Sequence, residues 1–279
     1  MFWLIETNKQ LEEFKSKEFK KVFIEPLFSN DNLHPFKRGV VAFYIREINY
    51  KKGFIININH SEATWCDLDK VYELIGGFEE IFVRDRKEFL HIVPLKQLSD
   101  IYFISPTDIP DPSPCHEFFY RKYPHIGNIG AIIPIVKQYE HYETVFNACR
   151  HVFTMDKPQH FNFYNNKATN VFWWIEQEGI KTNPLKFEEH FGVAHECAYT
   201  QFNLKTTTTR PSNSFGGINY AALDKKSGCR ESFIPSNDFL LEIDISAYHP
   251  TLAAQLVDYE FEEEDIHQAF ADMYGVDYK

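Results

Sequence analysis

The sequence predicts an α/β protein with two domains, at residues 1–155 and 156–279. The first half contains short apolar runs rich in β-branched and aromatic residues, separated or followed by helical patterns. The chain has 279 residues, of which 44% are hydrophobic, enough to bury one large or two ordinary cores. Since no stretch approaches eighteen consecutive apolar residues, we expect no transmembrane helix and no membrane partner.

Most of the elements predicted for the first half of the chain are strands. Five strands are expected, at residues 21–27, 39–48, 53–60, 81–83 and 101–104. A helix over 67–75 follows the third strand, with Asp67 as its N-cap and the pair Gly76 and Gly77 as its end. The proline-rich segment 106–114 predicts a surface loop.

The second half is mostly helical at its start. Residues 132–153 and 171–178 predict helices, and Gly179 ends the latter. The pair Asn183 and Pro184 opens the next helix, which Gly192 closes. Residues 199–220 predict extended or loop structure, and 239–245 a buried strand. A further helix is predicted from Pro250, with these residues on one face: Leu252, Leu256 and Val257.

The distribution of charge is more informative than the net charge of −11, which alone argues against DNA binding. Between residues 199 and 230 there are five basic residues and one aspartate, whereas from Asp238 onwards there are eleven acidic residues and a single basic one, Lys279. This order suits a site that handles phosphate and metal ions, or it is a chance cluster in a solvated loop. Five dispersed cysteines without a CxxC pair indicate reduced thiols and a cytoplasmic setting.

Asp244 is the most informative residue, because it lies at the end of the apolar run 239–245 and before the Pro250 helix. A carboxylate at this position can hold Mg²⁺ through oxygen ligands, with substrate phosphates completing the coordination shell. An isolated Asp here could equally be a helix cap or a turn residue.

Four segments in order resemble the family A DNA polymerases. Residues 174–183 resemble the element that opens the polymerase region, and Thr206-Thr-Thr-Thr-Arg210-Pro-Ser212 resembles the primer-template segment T-x-T-G-R-x-S. Residues 230–233 with Asp244-Ile-Ser246 resemble the first metal motif of the palm. Asp265-Ile-His267 resembles the D-I-H segment that leads into the fingers.

The resemblance implies a role for each matching residue. Asp244 would be the catalytic residue and, with the carbonyl of Ile245, a ligand of Mg²⁺ in a two-metal site. The nucleotide would be bound by Ile245, Ser246, His249 and His267. The DNA would be bound by Thr208, Arg210, Ser212, Asn219 and Arg230, since Arg suits bidentate phosphate contacts.

Two positions depart from the family pattern. Thr209 replaces the Gly before the arginine, which reduces the backbone freedom of that loop. His249 replaces the Glu that excludes the ribose 2′-hydroxyl. We therefore hypothesise that His249 is a ring-type steric gate; unchanged sugar discrimination after His249→Ala in a complete enzyme would refute this.

The first domain resembles the RNase H-like 3′–5′ exonuclease domain that precedes the polymerase region in this family. In the first motif Phe23 replaces an Asp and Glu25 remains. Phe89 replaces an Asp in the second motif, and Glu143 replaces an Asp in the third. Because Mg²⁺ needs several carboxylates, we expect a scaffold without proofreading activity. The alternative is a rearranged site built from Glu25, Asp85 and Glu143.

The expected function is template-dependent deoxynucleotide addition in DNA replication, with DNA primer-template, dNTP and Mg²⁺ as partners. The fingers and second palm motifs are absent from these 279 residues, so we expect inactivity alone and a truncated enzyme or a second chain that completes it. The sequence style suggests a phage enzyme in the host cytoplasm. The alternatives are a non-catalytic DNA-binding or replisome-interaction protein and a 3′–5′ exonuclease.

Overall fold

The computed structural model describes residues 3–28, 34–60, 62–106, 135–206, 210–241, 247–261 and 265–277. The chain forms two compact units, Met1–Ile234 and Pro235–Lys279. Residue 155, the boundary predicted from the sequence, lies inside the first unit, and a functional division at that point stays a prediction.

A six-stranded mixed sheet forms the centre of the first unit. Its strands are β1 Trp3–Ile5, β2 Lys21–Phe28, β3 Val40–Glu47, β4 Phe54–Asn57, β5 Glu80–Val83 and β6 Leu98–Asp100. The spatial order is β1-β4-β3-β2-β5-β6. Strand β3 is antiparallel to β2 and β4, whereas the other neighbouring pairs are parallel. This mixed, parallel-rich α/β sheet is consistent with the RNase H-like exonuclease domain expected.

Helices cover both faces of the sheet. One face packs against α1 Asn8–Lys15, α2 Leu68–Gly76 and α3 Arg86–Leu90, and the other against α4 Ile135–Cys149. Side chains alternate between these faces along β2, because successive strand residues point in opposite directions. Val22 and Ile24 therefore join the first core, while Phe23 and Leu27 join the second.

The predicted helix ends agree with the structure. The Asp67 carboxylate accepts hydrogen bonds from the backbone N–H groups of Asp69 (3.0 Å) and Lys70 (3.4 Å) at the start of α2. Helix α5 spans Thr169–Glu178, and α6 spans Pro184–Phe191. Helix α6 starts after the Asn183 cap and ends at Gly192, whose φ of +74° belongs to the left-handed region that glycine adopts most easily.

The prediction of a strand over 101–104 is wrong. The strand is β6, directly before it, and Ile101–Phe103 form a 3-10 turn. The Asp100 carboxylate accepts a hydrogen bond from the N–H of Tyr102 (2.9 Å), which turns the chain at this point. The sequence also gave no prediction for β1 and α1. The proline-rich loop lies almost wholly outside the described residues.

Four short strands lie beyond the large sheet: β7 Ile180–Lys181, β8 Cys197–Ala198, β9 Gln201–Asn203 and β10 Ser212–Ser214. Of these, β9 and β10 fall within the extended or looped region predicted over 199–220, whereas β7 and β8 lie before it and are not predicted by the sequence. Strands β9 and β10 form an antiparallel pair, the β9–β10 hairpin. No helix of the described residues has the length and apolar character needed to cross a membrane.

The second unit contains α7 Tyr248–Leu256 and α8 Ile266–Tyr274. The predicted buried strand is wrong for its described part, because residues 239–241 are neither a strand nor buried, and Leu241 is 74% exposed. Among the described residues of this unit there is no strand with which residues 239–241 could pair. Residues 242–246 lie outside the described residues. Helix α7 starts two residues before Pro250, which is tolerated in a first turn, and its apolar residues Leu252 and Leu256 are exposed.

Candidate functional site

The first exonuclease-like position is held by an ion pair. Glu25, in β2, is 4% exposed, and Arg84 follows β5, the parallel neighbour of β2. Arg84 donates to Glu25 from Nε to Oε1 (2.7 Å) and from Nη2 to Oε2 (2.9 Å). Burial disfavours the guanidinium charge, but the Glu25 carboxylate more than compensates and raises the pKa of Arg84. This bidentate pair occupies both oxygens of Glu25.

Phe23, two residues earlier on the same face of β2, fills the position where the exonuclease motif has its first Asp. Its side chain is fully buried, with ring centroids 5.9 Å from Phe146 and 5.6 Å from Phe153. An aromatic ring in this environment can supply no oxygen ligand to a metal ion.

The Glu143 carboxylate of α4, like that of Glu25, is paired with an arginine. It accepts hydrogen bonds from the Tyr44 hydroxyl (2.8 Å) and the Gly53 N–H (2.8 Å), and it forms an ion pair with Arg46. Arg46 also lies over the ring of Phe146, 4.0 Å from its centroid. Burial and then the Glu143 charge raise the pKa of Tyr44, so its hydroxyl stays a donor.

A third ionic cluster joins Asp85, Asp100 and Lys205. The Lys205 Nζ lies 3.2 Å from Asp100 Oδ2 and 3.7 Å from Asp85 Oδ2. Burial would raise the pKa of Asp85, but Lys205 and Lys87 more than offset it and hold that pKa at about 2. Burial raises the pKa of Asp100 to about 6, although Lys205 opposes this shift.

Each of the three carboxylates in the rearranged-site alternative has a cationic partner of its own: Arg84 for Glu25, Lys205 for Asp85 and Arg46 for Glu143. The Arg84 guanidinium that binds Glu25 lies 5.9 Å from the ring of Tyr142, the residue before Glu143. Among the described residues, no group of three or more His, Cys, Asp or Glu side chains could hold a metal ion. With Phe23 in place of a ligand, these residues do not fit a two-metal Mg²⁺ site.

A fourth buried ionic group links the helices of the first unit to the β9–β10 hairpin. Glu176 of α5 is fully buried, and it pairs with Lys87 (2.6 Å) and His91 (2.8 Å). Its Oε1 also accepts a hydrogen bond from the Phe202 N–H in β9 (2.5 Å). In the sequence this glutamate is marked only as part of the segment 174–183.

The predicted DNA-binding residues of the first unit are exposed. Ser212 begins β10 of the β9–β10 hairpin, Arg210 lies two residues before it, and Asn219 caps the turn that packs against β10. Arg230 is exposed and donates from Nη2 to the carbonyl of Leu223 (3.1 Å). Thr208 lies outside the described residues. The structure therefore brings Arg210, Ser212 and Asn219 into one region.

The predicted catalytic residues cannot be placed. Asp244, Ile245 and Ser246 lie outside the described residues, so their roles stay predictions. His249 and His267 are exposed at the first turns of α7 and α8. The Asp265 carboxylate caps α8 by accepting from the N–H groups of His267 (3.0 Å) and Gln268 (3.1 Å).

The missed partners are all basic residues, and one had a signal in the sequence. Arg46 interrupts the otherwise apolar run of β3, and a charged side chain inside a buried strand requires a counter-ion. Arg84 and Lys205 had no comparable signal, because they lie 59 residues from Glu25 and more than 100 residues from Asp85 and Asp100 in the sequence.

The chain was compared with known proteins. No protein-family model and no curated protein matches the sequence. Escherichia coli RNase D, an exoribonuclease involved in structured RNA processing, is similar to this chain at 9% identity and a TM-score of 0.34; the match covers 63% of this chain and 47% of RNase D. The chain thus spans about half the length of RNase D.

Two further solved structures are similar. Brucella melitensis NrnC with bound Mg²⁺ has 10% identity and a TM-score of 0.34, over 62% of this chain and 88% of NrnC. The catalytic core of Trypanosoma brucei RRP6 has 12% identity and a TM-score of 0.30, over 69% and 62% of the two chains. Mg²⁺ as a ligand of this chain stays a prediction. Similarity at this level establishes neither a shared activity nor shared site residues.

Proposed function

We propose that the first unit is an exonuclease-type domain that binds nucleic acid without hydrolysing it. The observation that supports the loss of hydrolysis is the pairing of Glu25 with Arg84 and of Glu143 with Arg46. Two-metal hydrolysis needs carboxylate oxygens that coordinate metal ions on both sides of the scissile phosphate. Here the buried guanidinium groups occupy those oxygens, and the aromatic Phe23 replaces a ligand.

Nucleic-acid binding is supported by the exposed basic residues between 199 and 230. Arg210 and Arg230 are exposed, as are Lys225 and Lys226 between them. Phosphate contacts by such residues release counter-ions, so the affinity should fall with increasing salt. Replacing one contacting arginine should reduce the slope of the log–log salt dependence by about one.

The test combines a nuclease assay with a binding assay. We expect no Mg²⁺- or Mn²⁺-dependent shortening of end-labelled single-stranded DNA or RNA above the level of the Glu25→Gln variant. We expect salt-dependent binding of a labelled single strand and of a primer-template, weakened by Arg210→Ala and unaffected by Lys9→Ala on α1. Hydrolysis that is lost in Glu25→Gln would overturn the proposal and favour a 3′–5′ exonuclease.

The exonuclease alternative fits the mixed sheet and the similar nuclease structures better than polymerase activity does. Its specific support is the rearranged set of carboxylates: Glu25, retained in β2, Asp85 after β5, and Glu143 on α4 in place of an Asp. For this reason the Glu25→Gln comparison is essential, since a contaminating nuclease would cleave equally in both preparations.

For the C-terminal part, we keep the polymerase proposal, which rests on the four ordered motifs and on Asp244. The site would bind Mg²⁺ through Asp244 and the carbonyl of Ile245, and dNTP near His249 and His267. Electron paramagnetic resonance of Mn²⁺ can test this. We expect bound Mn²⁺ that is lost in Asp244→Asn but retained in Glu25→Gln, whereas the reverse pattern would exclude this metal site.

A further inference from the structure

The Lys205 ammonium lies among two carboxylate oxygens and one backbone carbonyl oxygen. Its ammonium contacts Asp100 Oδ2 (3.2 Å), Asp85 Oδ2 (3.7 Å) and the carbonyl oxygen of Arg84. The ring of Tyr102 lies 5.5 Å away on another side. The Arg84 carbonyl accepts a hydrogen bond from this ammonium, and the two carboxylates balance its charge as ion pairs.

The acceptors are fixed by the sheet. Asp85 lies two residues after β5 and Asp100 ends β6, so both lie beyond or at the carboxyl ends of neighbouring parallel strands. Asp100, with a side chain only 2% exposed, also accepts from the N–H groups of Arg86 (3.0 Å) and Tyr102 (2.9 Å). The cluster is therefore a rigid attachment point for Lys205.

The chain attached at this point carries the predicted phosphate contacts. Lys205 lies two residues after β9, Arg210 lies two residues before β10, and Ser212 is the first residue of β10. A second attachment fixes β9 itself, through the hydrogen bond from the Phe202 N–H to Glu176. The two strands are in register, so an attachment of β9 also restrains β10.

We infer that Lys205 and Glu176 are positioning residues that hold the β9–β10 hairpin so that Arg210 and Ser212 meet a backbone phosphate of nucleic acid. The carboxylates Asp85 and Asp100 then serve to bind a cation of the chain itself. The inference rests on the proposed nucleic-acid binding by the first unit.

The physical reason is preorganisation. A hairpin that is free in solution must be ordered when it binds, and the loss of conformational entropy opposes binding. Releasing the attachment of Lys205 should therefore weaken binding on the order of tenfold, because each 1.4 kcal/mol corresponds to a factor of ten.

The test is a double-mutant cycle measured by fluorescence anisotropy with a labelled DNA primer-template. We expect Lys205→Met and Arg210→Ala each to weaken binding, and the double variant to bind no more weakly than Arg210→Ala alone. Lys205→Arg should restore most of the affinity. The matched control is Lys225→Met, an exposed lysine of the same basic stretch, whose effect should add to that of Arg210→Ala.

Hydrogen exchange of the protein without DNA separates the two levels of the proposal. We expect Lys205→Met, and the charge-balanced Lys205→Met/Asp100→Asn, to speed exchange in 201–206 and 210–214 but not in β2 or β3. Unchanged exchange there, or additive losses of affinity with Arg210→Ala, would overturn the positioning role. Faster exchange with no effect of Arg210→Ala on DNA binding would instead refute the phosphate contact of the proposed function.

Discussion

Replacing Glu176 by Gln gives the strongest test of the buried ionic network that Glu176 forms with Lys87 and His91. The Glu176 and His91 side chains are fully buried and that of Lys87 is 4% exposed. The variant keeps the shape of the side chain and an oxygen that can accept from the Phe202 N–H, but it leaves the Lys87 ammonium without its counter-ion. Removing one partner of a buried ion pair costs about 3–5 kcal/mol. For a domain with a total stability of about 5–15 kcal/mol, this loss is large.

Equilibrium unfolding in urea, followed by tryptophan fluorescence, measures this loss. Trp173 packs beside this network, with its ring 6.4 Å from His91, and should report the transition. We expect the free energy of unfolding to fall by about 3–5 kcal/mol in Glu176→Gln and to recover largely in Glu176→Gln/Lys87→Met, which removes both charges. Glu73→Gln, in an exposed pair with Lys15, should change it by less than about 1 kcal/mol.

A loss below about 1 kcal/mol in Glu176→Gln would refute the buried-pair reasoning. A double variant as unstable as the single variant would refute it as well, because the loss would then come from packing rather than from the unpaired charge.

Two further predictions concern Gly53, whose N–H donates to Glu143, and the carboxylates of Asp85 and Asp100. Gly53→Ala should destabilise the first unit by about 1–3 kcal/mol in the same urea assay, because its Cβ would lie 2.6 Å from Cζ of the buried Tyr44; a smaller loss would show that the ring can move. Carboxyl NMR titration should give a pKa of about 2 for Asp85 and about 6 for Asp100, and Lys205→Met should raise both, whereas unchanged values would contradict the ion pairs. For stability, the lowered pKa of Asp85 favours folding above pH 3.8, and this contribution is lost as the pH falls towards 2; the raised pKa of Asp100 favours folding at low pH and disfavours it as the pH rises from 3.8 through about 6.

Much of the fold could be predicted because its signals are local. Strands β2, β3 and β4 are dense in β-branched and aromatic residues, and helices α2 and α6 carry caps that the sequence displays, such as Asp67 and Asn183. Strand β1 has only three residues, and α1 has a polar sequence, so neither gives a strong pattern. The exposed segment 239–241 was misread because an apolar run alone cannot tell a buried strand from an exposed segment.

The candidate site was predictable in its carboxylates but not in their partners. Glu25 and Glu143 could be found by comparison with the exonuclease motifs. Both carboxylates form ion pairs, with Arg84 and Arg46, and the fold brings these arginines to them from distant positions in the chain. A sequence pattern shows which ligands of the motif are missing, whereas only the tertiary structure shows which cation pairs with each remaining carboxylate.

The most direct measurement is a crystal structure of the chain soaked with Mn²⁺, with the ion located by anomalous scattering. We predict that Glu25 remains bonded to Arg84 and Glu143 to Arg46, with no Mn²⁺ coordinated by either carboxylate. Mn²⁺ bound to Glu25 or Glu143, with the arginine displaced, would contradict a non-hydrolytic exonuclease-type domain.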